Sequence, residues 1–181
     1  MAADGARVDR GYRSREVFRH GTGSVGDGEE KMRVFVTGGS GFVGSAIVQE
    51  LIRAGHRALG LARSDSAAKC LSGVGAEVHR VDLEDLESTK SGAAATDGLI
   101  HRAFNHDFSK FAANCEIVRR AIEALGDVLA GSDRPLIISS RTGPSCAGRL
   151  ATEDDVAASG PGSLPRVELP KRWRFRRRRG A

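Results

Sequence analysis

The chain has 181 residues, 40% of them hydrophobic and 28% charged, with 23 glycines and few aromatics; this length suits one domain with extensions. No stretch approaches the ~20 apolar residues of a membrane-spanning helix, and the three cysteines (Cys70, Cys115, Cys146) lack the spacing of a disulfide scaffold or zinc module. The net charge of +5 belongs to the end of the chain, where Lys171, Arg172, Arg174 and Arg176 to Arg179 are all cationic; the rest holds 21 basic against 23 acidic side chains.

Residues 1–31 mix acids, bases and glycines without apolar periodicity, which predicts a disordered extension. They contain no apolar run for a secretory signal, and Asp4, Asp9 and Glu16 are unlike a mitochondrial presequence. With the cysteine usage, this makes a reducing cytoplasm the expected compartment. Arg33 to Thr37 then reads as a strand, and Val43, Ile47 and Leu51 recur at helical spacing up to a closing Gly55. Ala58 to Ala62 is a second strand, and Ser64 is placed to cap a helix through Leu71. Glu77 to Asp82 reads as a third strand, Asp85 to Ser91 as a weak helix and Gly98 to Phe104 as a fourth strand. Phe111, Cys115, Val118, Ile122, Leu125 and Leu129 form one apolar stripe of a long helix, and Leu136 to Ser139 gives a fifth strand. Strands alternating with helices predict an α/β fold over residues 32–140, doubly wound around a parallel sheet of about five strands. Residues 141–170 read as an irregular segment and 171–181 as a basic tail.

Gly39-Ser40-Gly41-Phe42-Val43-Gly44 is a G-x-G-x-x-G motif that follows a predicted strand and opens an amphipathic helix. That is the setting of a dinucleotide fingerprint. Gly41 lets the backbone approach a pyrophosphate, Gly44 lets the helix pack closely on the sheet, and the helix N-terminus offers free N–H donors to phosphate. The second predicted strand ends Leu61-Ala62-Arg63-Ser64, with no carboxylate at its tip for a ribose 2′-hydroxyl. Arg63 there suits the 2′-phosphate of NADP. Asp65 is the alternative, reaching the ribose of NAD or supporting the first turn of the next helix.

With Thr37 and Gly38 the motif becomes Thr-Gly-x-x-Gly-x-x-Gly, and residues 32 to about 155 resemble the short-chain dehydrogenase/reductase superfamily in its extended or atypical, epimerase/dehydratase-like branch. The resemblance implies a Rossmann domain that binds NADP or NAD through Gly38, Gly39, Ser40, Gly41, Phe42 and Val43, with Arg63 and Ser64 at the second strand. Asp82-Leu83 resembles the family's adenine-contacting pair. Asp97 to Phe104 resembles its fourth-strand motif, so that Ala103, Phe104 and Asn105 are expected to line the cofactor. Asn114 matches a structural asparagine, and Ile138-Ser139-Ser140 resembles the strand that ends at the active-site hydroxyl. If the chain is catalytic, hydride transfer to or from a small carbonyl or alcohol substrate is implied, with Ser139, Ser140 or Thr142 polarising the substrate oxygen.

The chain also departs from that pattern. The family's Tyr-x-x-x-Lys pair is absent, since the single tyrosine is Tyr12, and a sixth strand and substrate region are not evident after Ser140. A truncated, non-catalytic nucleotide binder is therefore the second reading. An unpaired fifth strand would pair with another chain, giving a homodimer or marginal solubility, or be covered by residues 141–170. Arg102 stands where the family has an apolar or small residue, facing either the cleft or the surface. His101 and His106 read as structural histidines, and Glu153-Asp154-Asp155 as solvated rather than metal-binding. The tail, with Trp173 and Phe175 among its cations, suits nucleic acid or an anionic membrane, although an altered gene end is the preferred explanation.

Overall fold

The computed structural model describes residues 30–139. Val34, Phe35 and Val36 favour a pleated strand buried on both faces, and they are wholly buried in β1 (Arg33–Thr37). The elements that follow alternate as the periodicity predicts: α1 (Phe42–Arg53), β2 (Arg57–Ala62), α2 (Asp65–Gly73), β3 (Glu77–Arg80), α3 (Leu86–Ala94), β4 (Gly98–His101), α4 (Phe111–Leu129) and β5 (Leu136–Ile138). Every pairing is parallel, in the order β3-β2-β1-β4-β5. The fold is a doubly wound α/β domain of the Rossmann type.

Register sorts the core into two layers. Phe35 of β1 lies beside Leu59 of β2 and Leu99 of β4, and all three pack with Ala93 of α3 and with Leu125 and Leu129 of α4. On the opposite face, Val36 lies close to Val48 of α1 and Leu71 of α2 around Gly39. Fully burying each such large side chain stabilises the fold by about 1.5–3 kcal/mol. Two predicted helix starts carry their caps: Ser64 Oγ accepts the Ala67 N–H at 3.2 Å, and Asp85 Oδ1 accepts the Ser88 N–H at 3.0 Å. Arg134 ties the far ends of α3 and α4 together by donating to the carbonyls of Ala93, Thr96 and Val128, where the helix dipoles favour a cation.

Several boundaries differ from the sequence expectation: β2 starts at Arg57 rather than Ala58, α2 runs to Gly73 rather than Leu71, and β5 ends at Ile138 rather than Ser139. β3 ends at Arg80 rather than Asp82, because Asp82 turns the chain: its carboxylate accepts the Glu84 N–H and its carbonyl the Asp85 N–H. β4 ends at His101 rather than Phe104, because β1 turns away at Gly38 and leaves the later residues no ladder partner. α3 continues beyond Ser91 to Ala94. A short 3-10 turn at Phe108–Lys110, unexpected from periodicity, precedes α4. No helix among the described residues is long and apolar enough to cross a membrane.

Candidate functional site

In this strand order the chain winds to opposite sides of β1, so a crevice opens beyond the carboxyl ends of β1 and β4. The glycine-rich turn fills it from one side. Gly38 has φ +71°, a left-handed conformation that suits glycine. Its carbonyl accepts the Gly41 N–H at 3.1 Å, and a Cβ at residue 38 would lie 2.8 Å from the Ala103 nitrogen. A Cβ at Gly44 would lie only 2.0 Å from the Gly38 carbonyl oxygen, so α1 can start this close to the turn only with glycine there.

Gly41 is different. A Cβ on it would meet nothing nearer than the Gly38 oxygen at 3.4 Å, so its outer side is open. Gly41 is also the N-cap of α1; no side chain caps this terminus and its first turn holds no acid. Phe42 is 95% exposed and Val43 is exposed beside it. Uncapped N–H donors at the positive end of a twelve-residue helix, under an open glycine, form a cradle for an anionic group. The pyrophosphate of a dinucleotide fits this cradle.

At the tip of β2, Arg63 is exposed and makes no ion pair among the described residues. Asp65 opens α2 and is paired with Arg80 from the end of β3. The Arg80 hydrogen bond holds the Asp65 carboxyl below the usual carboxylate range. Arg80 also donates to the Ser64 carbonyl at 3.2 Å. The carboxylate nearest this tip therefore already has a cation of its own, and the Ser64 hydroxyl is engaged in capping α2.

Asp82 is exposed with its carboxylate committed to its own turn, while Leu83 packs partly against the core. Ala103 and Phe104 are half-buried and Asn105 is exposed. This loop is fastened from α4, where buried Asn114 donates to the carbonyls of Asn105 at 3.2 Å and Asp107 at 2.8 Å. The Phe104 ring meets those of His106 and Phe111. Arg102 is half-buried, and its Nε has no hydrogen-bond partner among the described residues. Ser139 is exposed just past β5, its N–H donating to the His101 carbonyl at 3.2 Å, which sets it at the same sheet edge. Ser140 and Thr142 lie outside the described residues, as do Tyr12, Cys146, the acidic cluster and the basic tail.

His101, at the end of β4, is 2% exposed. Burial disfavours its charged form and pushes its pKa down to about 4. Its Nδ1 lies 2.8 Å from the Thr37 hydroxyl. In the sequence Thr37 stands out only as part of the glycine motif, and Arg80 does not stand out. Its one sequence signal is a cation two residues before the expected end of the third strand. No group of three or more His, Cys, Asp or Glu side chains among the described residues could hold a metal.

Comparison with known proteins adds four findings. The model of the NAD dependent epimerase/dehydratase family matches residues 34–157. An uncharacterized protein of Schizosaccharomyces pombe is 49% identical over 67% of this chain and 42% of its own length. A 4-hydroxy-2-methyl-3-oxo-4-farnesyl-3,4-dihydroquinoline-1-oxide ketoreductase of Stigmatella aurantiaca is 29% identical over 77% of this chain and 50% of its own. The chain thus spans half or less of either relative. A solved short-chain dehydrogenase/reductase superfamily protein of Agrobacterium tumefaciens, with NAD bound, superposes with a TM-score of 0.58 at 19% identity, over 71% of this chain and 40% of the other, which is a likeness of fold.

Proposed function

Since the chain belongs to the NAD dependent epimerase/dehydratase family, we propose that residues 32–140 form its dinucleotide-binding domain and that NADP is the preferred cofactor. The observation that carries this reading is the uncapped N-terminus of α1 beneath the open side of Gly41. The backbone of Gly38 to Val43 would hold the pyrophosphate, Asp82 and Leu83 the adenine, and Ala103 to Asn105 the far side of the cofactor. Arg63 would pair with the 2′-phosphate. The pairing of Asp65 with Arg80 supports this choice, because it removes the carboxylate that would otherwise repel that phosphate.

A nicotinamide dinucleotide supplies a hydride donor or acceptor. The chain's own part is to orient it and to polarise a substrate oxygen, a role proposed for Ser139, Ser140 or Thr142 at and beyond the end of β5. A hydroxyl donates one hydrogen bond; it does not replace a tyrosine–lysine pair as a general acid at neutral pH.

The cofactor choice has a direct test. Arg63→Ala is expected to cost about 1.5–3 kcal/mol of NADPH affinity, the range for hydrogen bonds to charged groups, and much less for NADH. Calorimetric titration of both cofactors reads this, and equal losses would remove Arg63 from the role. Self-association is proposed on a separate observation. Among the described residues, β5 pairs only with β4, and Leu136, Ile137 and Ile138 are half-buried. Such an edge recruits another strand, so a dimer is expected in analytical ultracentrifugation. A monodisperse monomer with rapid amide exchange across residues 141–170 would contradict it.

A further inference from the structure

The Thr37 hydroxyl lies between the ends of β1 and β4, and its hydrogen bonds can be counted. It accepts the Ala103 N–H at 3.3 Å and the Arg102 N–H at 3.1 Å, the latter shared with the Thr37 carbonyl at 3.1 Å. A threonine hydroxyl has two acceptor sites and one proton to donate. With both acceptor sites turned to β4, its proton goes to the remaining neighbour, His101 Nδ1 at 2.8 Å. His101 therefore accepts at Nδ1 and carries its own proton on Nε2. Nε2 is buried and has no hydrogen-bond partner among the described residues. Among the described residues Nδ1 is thus the ring's one polar attachment.

We propose that His101 is a positioning residue for the dinucleotide turn. By taking the Thr37 proton it aims both hydroxyl lone pairs at the amides of Arg102 and Ala103. This fastens the exit of β4 to the start of the glycine turn, where residues 38 and 103 approach too closely for a Cβ between them. His101 lies buried beneath the turn and acts through Thr37. The inference rests on the reading of this turn as the dinucleotide site.

The test uses the full 181-residue chain, with NADPH and NADH as probes and calorimetry as the readout. Thr37→Val and His101→Phe are each expected to weaken NADPH binding by about tenfold or more, as when a buried hydrogen-bonding group is left unpaired. Thr37→Ser, which keeps the hydroxyl, is expected to recover most of what Thr37→Val loses. A readout independent of cofactor and of variant folding is the ¹⁵N spectrum of the imidazole in the unmodified chain, expected to show neutral His101 protonated at Nε2 at pH 7. Protonation at Nδ1 instead, or His101→Phe binding within twofold of the unmodified chain, would overturn the inference and leave the dinucleotide reading standing. An unmodified chain that binds neither cofactor, even with the Nε2 proton observed, would overturn both.

Discussion

Gly44→Ala is expected to destabilise the fold by about 3 kcal/mol, at the upper end of the cost of overpacking. The added methyl would stand 2.0 Å from the Gly38 carbonyl oxygen, a backbone atom that no rotamer change can move aside. Alanine gains about 1 kcal/mol over glycine in a helix interior, which is too little to offset the clash. The useful comparison is Gly41→Ala. Gly41 has φ −78° and ψ 170°, extended backbone that alanine adopts freely, and its nearest contact would be 3.4 Å. There the change in stability is expected to stay within about 1 kcal/mol, while dinucleotide affinity falls because the methyl enters the cradle. Urea denaturation of the two variants separates them. Equal midpoints would mean that α1 does not start against the Gly38 carbonyl.

The second large effect is on stability against pH. His101 is pushed down to about 4 in the folded chain by burial, against about 6.5 in an unfolded one. Above pH 6.5 both states hold it neutral and it has no effect on stability. As pH falls from 6.5 to 4 the unfolded chain takes up a proton that the folded chain refuses, so stability declines, by about 3 kcal/mol once both states are protonated. Glu116 enters only at the bottom of this window, where the unfolded carboxyl begins to take up a proton that the folded one refuses. Hydrogen bonds from Arg119 and Arg120 hold its carboxyl down to about 2. Denaturation curves of the unmodified chain and of His101→Gln, measured from pH 4 to 7.5, isolate the imidazole's part. Parallel curves for the two would show that His101 titrates alike in both states.

How much of this was legible in the sequence depended on distance along the chain. The caps at Ser64 and Asp85 act within three residues, and the stripe of α4 repeats within one helix, so both could be read locally. The glycine turn was legible for the same reason: Gly38, Gly41 and Gly44 constrain one another across seven residues. Strand ends were less so. β4 stops at His101 because of where β1 turns, 64 residues earlier. The pairing of Asp65 with Arg80 joins two strand tips that only the sheet brings together, so the sequence left Asp65 as a rival ribose ligand. His101 reads as a structural histidine from the sequence, but its partner is fixed only by the parallel register that sets it beside Thr37. Asn114 was placed through resemblance alone, and the loop it fastens was not foreseen.

We propose that the turn from Gly38 to Val43 and the N-terminus of α1 hold the phosphates of a nicotinamide dinucleotide. Calorimetric titration of NADPH into the full chain and into Gly41→Ala tests it most directly. Saturable one-site binding to the unmodified chain is expected, with binding weakened by about tenfold or more in the variant while its Tm shifts by no more than a few degrees, as when the backbone donors to a charged group are blocked. Saturable binding that is equal in the two proteins, or no binding to either, would contradict it.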